Sequence, residues 1–208
     1  MKRSCRAGLF AFLALLVLAT AAHAQGSSKT QFLIARPGMP DPNFRETVVL
    51  VTHEEGAEAT GVIINRPTNR SLAEMLPSER FKPFKEPIFF GGPVAPQGLF
   101  AVFQADKFAG AAVTMLPGLY LAVVPDSIDA LLNNPPPKIR FFAGYSGWAP
   151  GQLRGELDRG DWLVTEAEAD TVFLKDTSRL WQDMVRRASA VRADAAPTRS
   201  RRPISSSR

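Results

Sequence analysis

Ser146 lies in the run AGYSGWAPGQL, residues 143–153, where a serine set among glycines after an apolar segment is a first place to look for a nucleophile. A nucleophile elbow needs the order Gly-x-Ser-x-Gly, which exposes the serine on a sharp strand-to-helix turn. Here Gly147 follows Ser146 directly, one place too early, although the apolar segment before it and the helical pattern after it supply the setting. The serine also needs a base within hydrogen-bond reach. Once the leader described below is set aside, His53 at the end of TVVLVTH is the sole histidine, with Asp41, Glu54 or Glu55 to orient it. A hydrolase using Ser146 and His53 is therefore one reading. A structural His53 at a strand end is the other, and it is preferred.

Metal and cofactor chemistry find less support. One histidine with scattered carboxylates lacks the clustered spacing of zinc ligands, and no D-x-D-x-D-G calcium loop occurs. Neither a phosphate loop nor a G-x-G-x-x-G fingerprint is present, so no cofactor is expected. The glycine-rich turns allow binding instead. Gly91-Gly92-Pro93 and the segment from Gly144 to Gly151 are expected where strands give way to loops or a helix start, and backbone N–H groups there can hold an anion or a peptide carboxylate. Against this, glycines permit positive φ and close packing while Trp148 seals the corner against the core, and that account is preferred. Asn65-Arg66-Pro67 follows a buried segment, where Arg66 can form an ion pair or present its guanidinium to a ligand. The expected binding patch joins Asn65 and Arg66 to Gly91 and Gly92, with Tyr145, Ser146 and Trp148 from the second loop and His53 nearby.

These residues need elements to position them. QFLIA, TVVLVTH, TGVIIN, PIFFGG, LFAVFQA, AVTML, LYLAVV, IRFFAGY and DWLVTE are short apolar runs bounded by turn residues, the pattern of strands, several of them buried on both faces. Pro117 and Gly118 in LPGL predict a type II turn and a hairpin. Ser71 with Glu74 forms a capping box opening SLAEMLPSER, which Pro77 ends or kinks. Asp126 or Ser127 is expected to cap SIDALLNN, a third helix carries APGQLRGELDRG, and a fourth carries SRLWQDMVRRAS. The strand-heavy, irregular order predicts an α+β or barrel-like fold rather than alternating βαβ units.

The ends differ from the middle. Residues 1–24 have the basic, apolar and small-residue sections of a secretory leader, with cleavage expected before Gln25. The apolar run from Ala7 to Ala22 is shorter than the roughly 20 residues of a comfortable membrane span; retention as an anchor is the alternative. The single cysteine, Cys5, leaves with the leader, so disulfide and thiol chemistry are not expected. The net charge of +5 comes from the ends. Lys2, Arg3 and Arg6 lie in the leader and seven arginines follow residue 185, leaving residues 25–185 net negative, which does not describe a basic nucleic-acid-binding face. Residues 189–208 are expected to be a disordered basic tail able to touch an anionic surface. The expected domain spans 25–188.

Four segments, FLIARPGMPDPNFRETVVLVTHEEGAEATGVIINRP, PIFFGGPV, FFAGYSGWAPGQLRGEL and DWLVTEA, resemble in order and spacing the AlgH/YqgE family of bacterial proteins, over about Gln31 to Ala188. The resemblance implies an α+β fold in which a bent, mostly antiparallel sheet closes into a barrel-like core flanked by helices. It implies no established activity, and one family name refers to alginate regulation. Two features depart from the family: the leader, and the extended turn GAEATG after His53. The preferred reading is an exported, periplasmic, non-enzymatic binding or regulatory domain with an envelope partner; a cytoplasmic, transcription-linked regulator is the alternative.

Overall fold

The computed structural model describes residues 28–76 and 78–195; the expected leader and the last residues of the expected basic tail lie outside them. The apolar runs form β1 (Lys29–Ala35), β2 (Val48–His53), β3 (Ala59–Ile63), β4 (Pro67–Ser71), β5 (Pro87–Phe90), β6 (Val94–Gln104), β7 (Ala112–Leu116), β8 (Leu119–Ala122), β9 (Ile139–Trp148) and β10 (Trp162–Glu166). The helices are α1 (Leu72–Met75), α2 (Pro125–Asn133), α3 (Gln152–Arg159) and α4 (Leu180–Ala195). They flank a mostly antiparallel sheet of ten strands curled into a half-barrel, in the order β10-β1-β2-β3-β9-β6-β8-β7, with β4 and β5 attached beside β9. The expected α+β architecture is thus present.

β9 carries the sheet across its middle. Its end pairs with β3, Gly61 opposite Ser146 and Ala59 opposite Trp148, while its beginning pairs with β6, Ile139 opposite Phe103. Phe142 and Ala143 also pair in parallel with Phe89 and Phe90 of β5. Side chains of alternate parity on β1 and β2 enter two cores. Phe32, Ile34, Val48 and Leu50 join Leu180 and Met184 of α4 on one face, whereas Leu33, Ala35, Val49 and Val51 join Leu153 of α3 on the other. Trp181 of α4 donates its indole N–H to the carbonyl of Ala35 at 2.7 Å.

Local signals mostly act as expected. Gly118 at φ 75° closes the β7–β8 hairpin after Pro117. Ser71 caps α1 reciprocally with Glu74, and the helix stops at Leu76, ahead of Pro77. Three expectations need correction, and one strand adds to those expected. Val124, not Asp126 or Ser127, is the N-cap of α2, because Pro125 supplies a preset φ at the first helical position; Ser127 instead donates to the carbonyl of Ala111 at 2.8 Å. β4, PTNRS, is a strand without an apolar pattern. β9 continues through Ser146 to Trp148, so the strand-to-helix corner is confined to the three residues that follow. α4 runs to Ala195, beyond the expected tail boundary at Ser189, extended by alanine and arginine, both strong helix formers.

Candidate functional site

Ser146 is fully buried in β9 and donates its hydroxyl to the carbonyl of Gly91 at 3.0 Å. His53, two strands away, makes no hydrogen bond to it, so the two do not form a nucleophile–base pair. Asp41, one of the acids considered for orienting His53, accepts the N–H of Asn43 at 2.8 Å and caps its own turn.

Gly91, Gly92 and Gly144 meet Ser146 at a tight backbone junction. A Cβ on Gly92 would overlap Ser146 Oγ and the Tyr145 carbonyl, and one on Gly144, at φ 70°, would overlap the Gly92 carbonyl. The Gly91 N–H donates to Ala143 O and its carbonyl accepts from Ile63 N, each at 2.9 Å. These glycines therefore serve close packing, and the Gly91 N–H is not free for an anion. Tyr145 points to the opposite face and packs on Phe100 with ring centroids 5.2 Å apart.

Asn65 and Arg66 clamp the preceding turn. Asn65 Oδ1 accepts from Val48 N at 2.8 Å and its amide donates to Glu46 O at 2.9 Å. Arg66 donates to three backbone carbonyls, those of Asn43, Pro42 and Arg45, at 2.5, 3.3 and 2.7 Å. Partial burial lowers its pKa, opposed by the charges of Asp41 and Glu46. The expected surface patch accordingly resolves into separate parts: a buried glycine–serine junction, a turn clamp, Trp148 beneath α3, and His53 on its own.

His53 belongs to a different feature. α3 lies across the face of the sheet that carries Leu33, Val49 and Trp162. Its Glu156 accepts the indole N–H groups of Trp148 and Trp162, and Phe44 stacks on Trp148 at 5.9 Å, filling one end of the interface. At the other end a cleft of about 850 Å³ opens, lined from the strands by Gln31, His53 and Val164 and from the helix by Leu153, Arg154 and Leu157. Lys29, Glu54 and Glu55 also line it, so charges of both signs border an apolar trough.

Two polar side chains stand inside that trough. Lys29 is opposite His53 and Gln31 opposite Val51, which makes Gln31 and His53 diagonal neighbours on one face of the sheet. Gln31 is 3% exposed, and its Oε1, like Nε2 of His53, is buried with no hydrogen-bond partner. Each such group costs about 1–3 kcal/mol until a partner is supplied. The cleft can thus accept a ligand that combines apolar surface with hydrogen-bonding groups. Sequence reasoning missed Gln31; the signal was a polar residue in phase with Leu33 and Ala35 on a strand buried on both faces. Among the described residues no group of three or more His, Cys, Asp or Glu side chains is arranged to hold a metal ion.

Comparison with known proteins gives the wider context. A family model described as AlgH-like matches residues 32–191. A UPF0301 protein of Myxococcus xanthus is 37% identical over 158 residues, covering 74% of this chain and 87% of the relative. The solution structure of the AlgH protein from Pseudomonas aeruginosa superposes with a TM-score of 0.63 at 30% identity, covering 80% of this chain and 92% of that one. The crystal structure of protein DIP2367 from Corynebacterium diphtheriae shares the fold with a TM-score of 0.61 at 24% identity, covering 76% of this chain and 85% of that one.

Proposed function

The chain belongs to the AlgH-like family, and on that premise we propose that it is an exported, non-enzymatic binding domain whose ligand sits in the cleft between α3 and the first strands. The observation that carries this reading is a cleft lined by two side chains, Gln31 and His53, whose Oε1 and Nε2 atoms are buried without a hydrogen-bond partner. A ligand that partners them recovers free energy already spent in folding. The commitment of Ser146 to the Gly91 carbonyl favours binding over acyl chemistry. The leader pattern of residues 1–24 supports export, and among the described residues no helix is long and apolar enough to cross a membrane.

Two measurements test the parts separately. Intact mass of the protein from periplasmic and cytoplasmic fractions is expected to give a periplasmic species beginning at Gln25; a full-length cytoplasmic species sinks export and restores a transcription-linked role. Crystals soaked with a fragment library are expected to place bound fragments on Gln31 or His53. Fragments found everywhere except this cleft sink the binding assignment.

A further inference from the structure

We propose that the cleft takes an extended peptide segment of a partner protein, added as a strand to the free edge of β10 with apolar side chains entering between Leu157 and Val164. The proposal rests on the cleft being the binding site. β10 closes one side of the sheet, pairing with β1 alone from Ala35 opposite Trp162 to Gln31 opposite Glu166. A strand bonded on one side presents alternate N–H and C=O groups outward, and no further strand among the described residues takes them up.

Val164, in the middle of β10, is 40% exposed and lines the cleft, so the trough lies beside that edge. A peptide strand would gain affinity from main-chain hydrogen bonds to the edge and specificity from alternate side chains in the trough. Charge narrows the choice of ligand. Glu54 and Glu55 oppose a phosphate-rich ligand, whereas the mixture with Lys29 and Arg154 suits a polypeptide bearing both signs.

The test uses random twelve-residue peptides displayed on phage and panned on the purified protein, with the selected sequence synthesised and titrated by calorimetry. Expected are alternating apolar residues and an affinity that drops about tenfold or more when alternate backbone nitrogens are methylated, because each methyl removes a strand-addition donor. Leu157→Asp should abolish binding, and Met75→Lys, at an exposed position on α1, should not. Should Leu157→Asp fail to fold by circular dichroism, Val164→Glu takes its place.

The dye 1-anilinonaphthalene-8-sulfonate provides a second probe of the trough. Dye binding that Leu157→Asp removes, with no peptide selected or with selected peptides indifferent to N-methylation, overturns the peptide assignment and leaves the cleft a binding site for another ligand class. If neither dye nor peptide binds there, both the assignment and the cleft reading fall.

Discussion

Trp148 and Trp162 donate their indole N–H groups to the same oxygen, Oε2 of Glu156, each at 2.9 Å. The rings meet edge to face with centroids 6.2 Å apart, so one carboxylate ties α3 to two strands.

Glu156→Ala is therefore expected to lower the unfolding free energy by about 2–4 kcal/mol, since it removes charge-assisted bonds and strands two indole donors. Glu156→Gln should cost less. Urea denaturation followed by tryptophan fluorescence checks this, and equal midpoints for wild type and the alanine variant would remove the carboxylate from any anchoring role.

The junction at Ser146 predicts unequal effects from two small changes. Ser146→Ala leaves the Gly91 carbonyl still bonded to Ile63 N and should cost about 1 kcal/mol. Gly92→Ala forces a methyl into Ser146 Oγ and the Tyr145 carbonyl and should cost about 3 kcal/mol or more. Thermal unfolding in which Ser146→Ala proves the worse variant would contradict this assignment of roles.

Arg140 is 4% exposed and donates to the carbonyls of Val172 and Leu174 at 2.6 and 2.9 Å, with its guanidinium 4.2 Å from the Phe89 ring centroid. Burial lowers its pKa, and the charge of Glu86 opposes the shift. Arg140→Met leaves both carbonyls without that donor and should destabilise by about 2–4 kcal/mol; Arg140→Lys, lacking the planar fork, should fall between it and wild type. Equal stability of all three in urea would show that the arginine adds nothing to the core.

Glu74 accepts the N–H and the hydroxyl of Ser71 at 2.8 and 3.0 Å, which hold its carboxyl below the usual range. A carboxyl depressed by folding stabilises above its unfolded pKa and loses that contribution as pH falls through the folded value. The stability gap between wild type and Glu74→Gln should thus be constant from neutral pH down to about 5 and shrink below about 4. Urea midpoints measured across that window decide it; a gap that widens on acidification has the wrong sign.

The strands were legible because apolar runs between turn residues report burial directly, as in β1, β2 and β10. β4 was hidden because a strand beside the main path needs no apolar alternation. Gly144 read as the end of a strand, yet its positive φ marks an irregularity within β9. The candidate site was less legible still. His53 was singled out, but that Gln31 lies beside it emerges only from the register of β1 against β2, and the partners of Arg66 are backbone carbonyls, which leave no trace in side-chain patterns.

The order in which the strands are synthesised sets a limit on when the protein can fold. β1 pairs with β10, made more than a hundred residues later, and β3 meets the rest of the sheet through β9, itself a late product. Contacts of such long sequence separation slow closure. A chain that reaches only as far as α2 lacks the strands that pair with the outer margins of β1 and β3, and unpaired strand edges of that kind favour aggregation.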